Sequence, residues 1–299
     1  MARSLTWEKD GAKWPNHRFS HFVEAGGCRW HIQRAGKGPR ILLLHGTGAS
    51  THSWAGLFPR LSARCDVLAP DLPGHAFTTP LGAANSSLPQ MAASLDQLLR
   101  ETGFQPDILI GHSAGAAIAV RLAAERKIRP TCIVAINGAL RPLGGIAGLA
   151  GPAIAKAITI SPLMVMAISR GGNDRDRVAR LIRSTGSEPS EPYLSLYTRL
   201  FSTPSHVRGT LRMMASWDVS GILSDLKRSG CPLVQITAAR DQAVAPAAAA
   251  ELARQELRAS HIPLPRLGHL AHEEDPETLS QTILAAIDTC ECEGRRQRA

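Results

Sequence analysis

The stretch "ILIGHSAGAAIAV", residues 108–120, places Ser113 between two glycines, directly after a short apolar run. Such a run is typical of a strand buried on both faces, and the small and apolar residues after Ser113 are typical of a helix. Glycines on either side of the serine permit a sharp turn that exposes its hydroxyl above a sheet. Because a Gly-x-Ser-x-Gly pattern also arises by chance, the rest of the chain must supply the context for a nucleophile.

Short apolar runs alternate with longer helical patterns on both sides of this stretch. The patterns at residues 87–103 and 114–127 repeat apolar residues at intervals of three and four, as helices do. This alternation predicts an α/β fold with a mostly parallel central sheet and helices on both faces. Residues 26–39 predict an antiparallel hairpin at one edge. The predicted strands are residues 40–46, 65–71, 106–112, 131–137 and 231–239.

The alternation stops near Asn137 and resumes near Cys231. An apolar, helix-forming insert at this position predicts a lid over the carboxyl edge of the sheet, where open α/β sheets bind ligands. Additional core helices without a role in substrate binding would give the same pattern. The predicted division is an N-terminal extension (1–27), an α/β core (28–137 and 228–290), a helical lid or cap (138–227) and a basic tail (291–299).

Composition and charge narrow the class of protein. The 299 residues carry a formal charge of +9, but the arginines are spread along the chain without a zinc-finger or RNA-binding pattern, so no nucleic-acid partner is expected. No apolar run is long enough to span a bilayer, which leaves at most peripheral membrane contact. The first residues lack the apolar core of a secretory signal, and the six cysteines are scattered. We therefore expect a cytoplasmic protein with reduced cysteines, no metal site and no cofactor.

A serine hydroxyl needs a base to become a nucleophile, and the base needs an acid to orient it and stabilise its charge. Asp241 follows a predicted strand, and His269 lies in a loop after a later apolar run. The order Ser, Asp, His fits this fold class. The alternatives that stay open are His272 as the base and Asp218 or Asp225 as the acid.

Further polar and sulfur-containing residues have structural interpretations beside functional ones. His45 and His112 flank two predicted turns, and shaping those turns is favoured over direct catalysis. Asp71 and His75 are interpreted as parts of a structural turn. The methionines that either line an adaptable apolar pocket or fill the core are Met164, Met166, Met213 and Met214.

Five motifs in this order resemble the α/β-hydrolase superfamily over about residues 28–285: "LLLHGTGAS", "VLAPDLPGHAFT", "GHSAG", "ITAARDQAVAP" and "LGHLAHEEDPE". The resemblance implies Ser113 as the nucleophile, His269 as the base and Asp241 as the acid. It also implies an oxyanion hole formed by the backbone N–H groups of Thr47 and Ala114. Serine at the nucleophile position disfavours haloalkane dehalogenases and epoxide hydrolases.

The sequence departs from the superfamily pattern at two positions, neither of which is Ser113, Asp241 or His269. Ala76 stands where Pro-Gly-His-Gly is frequent, and "TAARD" lacks the usual glycine before Asp241.

A narrower resemblance includes "WPNHRFSHFVEAGGCRWHIQRAGKGP", residues 14–39. With the motifs above, it is similar to the family of magnesium-chelatase accessory proteins of bacteriochlorophyll biosynthesis. This narrower resemblance implies a place in that pathway, with a tetrapyrrole as the implied substrate and magnesium chelatase as the implied partner. The ordered triad and the apolar insert indicate a hydrolase that attacks an ester, amide or similar carbonyl in a bulky apolar substrate. Two other functions stay open: a non-catalytic protein that binds a porphyrin or the chelatase, and a generic esterase or cofactor-free haloperoxidase-like hydrolase.

Overall fold

The computed structural model describes residues 5–81, 86–125, 128–142 and 161–296. Within these ranges, eight strands form one sheet in the order β1-β2-β4-β3-β5-β6-β7-β8. β2 is antiparallel to both of its neighbours, and the pairings from β4 to β8 are parallel. The predicted α/β fold with a mostly parallel sheet is confirmed. The strands are β1 (Ser20–Ala25), β2 (Cys28–Ala35), β3 (Arg40–Leu44), β4 (Asp66–Pro70), β5 (Ile108–His112), β6 (Cys132–Ile136), β7 (Leu233–Ala238) and β8 (Ala259–Leu264).

Helices cover both faces of the sheet because alternate strand residues point to opposite faces. In β3, Leu42 and Leu44 pack with helices α3 (Leu88–Glu101) and α4 (Ala114–Ala124), whereas Ile41 and Leu43 pack with α2 (Leu57–Ser62) and α12 (Pro276–Arg296). The other core helices are α1 (Trp7–Asp10), α9 (Ile222–Ser229), α10 (Pro246–Gln255) and α11 (Ala271–Glu274). Among the described residues, no helix is both long and apolar enough for a bilayer-spanning segment.

The edge hairpin begins earlier than the sequence predicts. β1 lies within residues 1–27 and pairs with β2 across a turn at Gly26 and Gly27, whose φ angles are +59° and +75°. The mixed polar character of "SHFVEA" conceals β1, because this edge strand is only partly buried. The indole of Trp30 is fully buried beneath the hairpin and donates a hydrogen bond to the Ala25 carbonyl (3.0 Å).

Four helices lie between β6 and β7, inside the predicted insert. They are α5 (Pro162–Gly171), α6 (Arg175–Arg183), α7 (Glu191–Phe201) and α8 (Pro204–Ala215), and we call them the cap. Residues 143–160 of the predicted insert lie outside the described residues. α9 crosses the predicted boundary at residue 228 and packs on α4, where Asp225 pairs with Arg121 (3.1 Å), because Ile222 and Leu226 belong to the main core.

Ala76 adopts a backbone conformation that suits glycine. Its φ is +41°, where a Cβ crowds the following carbonyl oxygen. Its N–H donates a hydrogen bond to Nδ1 of His206 (3.1 Å), which holds the turn in place. The frequent family residue at this position is glycine, so Ala76 stores strain that the turn does not require.

We predict that Ala76→Gly raises the free energy of unfolding by about 1 kcal/mol, because it relieves this strain. Urea denaturation measures the change. Ala250→Gly, in the middle of α10, is the matched control and should lower stability by about 0.5–1 kcal/mol. An Ala76→Gly protein no more stable than the parent would contradict the strain.

Candidate active site

Ser113 occupies a sharp turn between β5 and α4. Its φ and ψ are +51° and −118°, a conformation that non-glycine residues rarely adopt. The turn needs both flanking glycines: a Cβ on Gly111 would lie 2.4 Å from the Ala116 nitrogen, and one on Gly115 would lie 2.1 Å from the Leu44 oxygen. Ser113 is partly exposed between two buried neighbours, so the turn presents its side chain at the carboxyl edge of the sheet.

The loop after β3 lies beside this turn. A Cβ built on Gly46 would lie 3.1 Å from the Cβ of Ser113. His45 shapes the loop: Nδ1–H donates to the Gly46 carbonyl (2.8 Å), and Nε2 accepts the N–H of Leu72 (2.8 Å). Burial lowers the pKa of His45 and keeps it neutral for this role.

The two backbone N–H groups predicted to bind an oxyanion belong to Thr47 in this loop and to Ala114 at the start of α4. Within the described ranges, neither N–H has a hydrogen-bond partner. The structure therefore brings two unpaired donors to the same edge of the sheet as Ser113.

Asp241 and His269 form a buried hydrogen bond. Nδ1 of His269 lies 2.8 Å from Oδ2 of Asp241, and the Asp241 side chain is fully buried. The other carboxylate oxygen, Oδ1, accepts the N–H groups of Ala243 (2.7 Å) and Val244 (2.9 Å). Because the carboxylate can only accept, Nδ1 of His269 carries the proton and Nε2 remains able to accept one.

The alternative acids lie elsewhere. Asp218 is exposed and accepts the N–H of Ser220 (2.8 Å) in its own turn, and this hydrogen bond lowers its pKa. Asp225 pairs with Arg121 and Arg228 on the far side of α4. Of the three aspartates considered, the one that contacts His269 is Asp241.

His272 is fully buried, and its Nε2–H donates a hydrogen bond to Oγ of Ser53 (2.8 Å), whose own proton goes to Glu273. Burial lowers the pKa of His272 to about 3, so it is neutral and already engaged. This geometry favours His269 as the base. The structure does not join Ser113 to it directly: within the described residues, Oγ of Ser113 makes no hydrogen bond to His269.

The profile of the Alpha/beta hydrolase family matches residues 41–282. The chain belongs to the alpha/beta hydrolase family. This match confirms the resemblance read from the five motifs, and it covers Thr47, Ser113, Asp241 and His269 together.

A curated relative agrees with the narrower resemblance. The magnesium-chelatase 30 kDa subunit of Rhodobacter capsulatus is 36% identical over 280 residues, which are 91% of this chain and 96% of the relative.

Solved structures share the fold. An alpha/beta hydrolase fold protein from Burkholderia ambifaria has a TM-score of 0.72 at 22% identity, covering 89% of this chain and 99% of that one. A loop variant of the haloalkane dehalogenase DbeA from Bradyrhizobium elkanii has a TM-score of 0.73 at 21% identity, covering 93% and 99%. At these identities the likeness concerns the fold alone.

Asn137, which the sequence analysis did not identify, holds the loop that carries His269 in place. Its Nδ2 donates to the carbonyls of Gly268 (3.1 Å) and His269 (2.9 Å), and its Oδ1 accepts the N–H of Ala238 (2.8 Å). His112 adds a third donor, because its Nε2–H donates to the His269 carbonyl (3.0 Å). The sequence feature that could have identified Asn137 is its position as a polar residue directly after the buried strand β6, at the same sheet edge as Ser113.

Helix α8 and the loop between α6 and α7 are hydrogen-bonded to the loops that carry Thr47, Asp241 and His269. The three bonds run from Nε2–H of His206 to the Gly48 carbonyl (3.1 Å), from the Gln242 N–H to the Thr185 carbonyl (3.0 Å) and from the Leu270 N–H to Oγ of Ser187 (2.7 Å). Met213 of α8 is buried, and its sulfur accepts the hydroxyl proton of Thr47 (3.6 Å). Met164 and Met214 are exposed, so neither fills the core.

Glu273 is a buried acid that joins the cap to the core. Its Oε1 accepts hydrogen bonds from the hydroxyls of Tyr197 in α7 (2.7 Å) and Ser53. Its Oε2 is buried and has no partner within the described ranges. Burial raises the pKa of Glu273 to about 8, so the neutral acid is the favoured form at neutral pH.

We predict that Glu273 makes stability fall as pH rises from about 5 to about 8, by at most about 1.4 kcal/mol per pH unit. The unfolded chain loses this proton near its usual pKa of 4.5, whereas the folded protein keeps it until about 8. Unfolding therefore releases a proton in this window, which favours the unfolded state at higher pH. Urea unfolding across this range measures the slope.

Glu273→Gln should flatten that slope, because the amide is neutral throughout. Glu101→Gln, at the exposed end of α3, is the matched control and should leave the slope unchanged. Parallel pH profiles for the parent and Glu273→Gln would contradict the prediction.

Proposed function

We propose that this chain is a serine hydrolase in which Ser113 is the nucleophile, His269 the base and Asp241 the acid. The observation that carries the proposal is the 2.8 Å hydrogen bond between Asp241 and Nδ1 of His269, at the sheet edge where the strained turn holds Ser113. This bond fixes the tautomer that a general base requires.

In the proposed reaction, Oγ of Ser113 attacks a substrate carbonyl carbon and passes its proton to Nε2 of His269. The Ser113 side chain turns toward Nε2 as the substrate binds, since catalytic hydrogen bonds often tighten only in the complex. The carbonyl oxygen becomes an oxyanion, which accepts hydrogen bonds from the N–H groups of Thr47 and Ala114.

The tetrahedral intermediate collapses when the bond to the leaving group breaks and His269 returns its proton to that group. Water then attacks the acyl-serine, His269 takes the water proton, and a second collapse releases the acid and restores Ser113. Asp241 keeps its hydrogen bond from Nδ1–H throughout and stabilises the positive charge that forms on the imidazole.

The substrate class in this proposal is an ester, amide or similar carbonyl in a bulky apolar molecule, with the 138–227 insert as the lid. Apolar groups of the cap adjoin the oxyanion loop: a Cβ built on Gly48 would lie 3.5 Å from Cγ2 of Thr210 and 3.6 Å from Cε1 of Phe201. The relative in R. capsulatus, named as a magnesium-chelatase subunit, supports a substrate in bacteriochlorophyll biosynthesis near the chelatase step.

We predict that a fluorophosphonate probe labels the protein at Ser113 and that p-nitrophenyl esters are hydrolysed. Ser113→Ala should abolish both, and His269→Ala should reduce both by about 10³-fold or more, because the hydroxyl loses its base. Mass spectrometry of the labelled peptide and ester kinetics provide the measurements. A folded parent protein inert to both reagents would overturn the hydrolase proposal.

The aspartates supply a matched comparison for the same assay. Asp241→Asn should lower kcat by about 10³–10⁴-fold, because the amide favours the wrong His269 tautomer. Asp218→Asn, at the exposed alternative, should leave kcat unchanged. The reverse pattern would assign the acid to Asp218.

The second candidate is a non-catalytic protein that binds a porphyrin or the chelatase. Two observations favour it: 36% identity to a chelatase subunit, and a Ser113 hydroxyl without a hydrogen bond to His269 among the described residues. The test is complementation of an R. capsulatus strain that lacks its 30 kDa subunit. If the parent restores pigment, we expect Ser113→Ala to fail at equal protein level; full restoration by Ser113→Ala would favour the binding role.

A further inference from the structure

Helix α5 of the cap exposes apolar side chains that an ordinary surface helix would bury. It buries Val165 and Ser169, yet Leu163 is 78% exposed, Met164 49% and Ile168 39%. A surface helix normally places its apolar stripe against the core. Its buried polar group is satisfied locally, because the Ser169 hydroxyl donates to the Met166 carbonyl (3.0 Å). Among the described residues, the apolar side of α5 is therefore exposed.

The exposed apolar residues are concentrated on the cap. Leu163 and Ala167, like Met164 and Ile168, are four positions apart and lie one turn above the other, so the four form one stripe. We call this stripe the α5 face. Five of the six large apolar side chains that are exposed among the described residues belong to the cap: Leu163, Met164, Ile168, Leu181 and Met214, with Leu257 as the sixth. Singly exposed apolar residues are ordinary, whereas a concentration marks an interaction surface.

The cap that carries this stripe is rich in positive charge. Residues 161–215 contain eight arginines but only four carboxylates. Arg170, Arg177 and Arg180 are exposed and have no carboxylate partner among the described residues. The guanidinium of Arg177 lies against the end of α5, because a Cβ built on Gly171 would be 2.7 Å from its Nη1.

We propose that the α5 face docks on the surface of an anionic phospholipid bilayer. Apolar side chains of a helix that lies in the interface insert at the boundary of the acyl chains, while arginines at its edges pair with lipid phosphates. An exposed apolar stripe in an arginine-rich cap needs no complementary pocket in its partner. A bilayer surface meets that condition, whereas a folded protein partner must match the shape.

This inference does not depend on hydrolysis, because none of the residues involved belongs to the candidate active site. Docking of the α5 face would place the cap, and the loops hydrogen-bonded to it, at the lipid bilayer, where bulky apolar molecules concentrate. The two proposals can therefore fail separately.

We predict that the full-length protein co-sediments with vesicles of phosphatidylglycerol and phosphatidylcholine, and much less with phosphatidylcholine alone. The double variant Leu163→Glu, Ile168→Glu should weaken binding to the anionic vesicles at least about tenfold, because both apolar insertions are lost. Arg177→Gln and Arg180→Gln should each weaken it by about fivefold and reduce its sensitivity to salt.

Two matched controls lie near the opposite, amino edge of the sheet. Leu257→Glu changes another exposed apolar residue, before β8, and Arg64→Gln removes an exposed charge before β4. Both should bind like the parent, and circular dichroism and thermal melts should show all variants folded. Failure of the parent to bind anionic vesicles, or equal loss in the control and α5 variants, would overturn the proposal.

Discussion

The close approach of helix α4 to the end of β3 is the constraint on which the candidate site depends. Gly115 lies so near the Leu44 carbonyl that no side chain fits between them. The chain must therefore reverse within the Ser113 residue, whose positive φ costs on the order of 1–3 kcal/mol. The same geometry leaves the Ala114 N–H unpaired at the first position of the helix and brings the loop after Leu44 beside Ser113. A packed core on both faces of the sheet holds this strain in place.

Neutral histidines surround His269 without competing with it. Burial lowers the pKa of His112 well below its usual value, and that of His272 to about 3, so both remain uncharged at neutral pH. The centre of the His112 ring lies 4.7 Å from that of His269 and 4.4 Å from that of His272. A second imidazolium at these distances would oppose the charge that a general base acquires. Hydrogen bonds fix the rings of His112 and His272, and of these three rings the one that hydrogen-bonds to a carboxylate is His269.

The sequence predicted those features that follow from local patterns. Buried strands are visible in the chain, and Asp241 and His269 each follow an apolar run, which made them a candidate pair. Excluding Asp218, Asp225 and His272 required the structure. Asn137 and Glu273 were missed because their partners lie far away in sequence: Asn137 binds a carbonyl 132 residues later, and Glu273 binds a hydroxyl 76 residues earlier. β1 was missed because residues on both of its faces are only partly buried, so its sequence shows little apolar alternation.

The cap could be located but not oriented from sequence, since an apolar stripe has the same period whether it faces the core or water. In the structure, the two orientations occur in neighbouring helices. α6 and α7 bury Val178, Ile182, Leu194 and Tyr197 in a cluster with Leu270 of the loop that carries His269, whereas α5 presents its stripe to solvent. One side of the cap is therefore fixed to the loops around His269, and the other side is free to meet a surface. Because different residues form the two sides, substitutions on α5 should change where the protein resides without moving the Asp241–His269 pair.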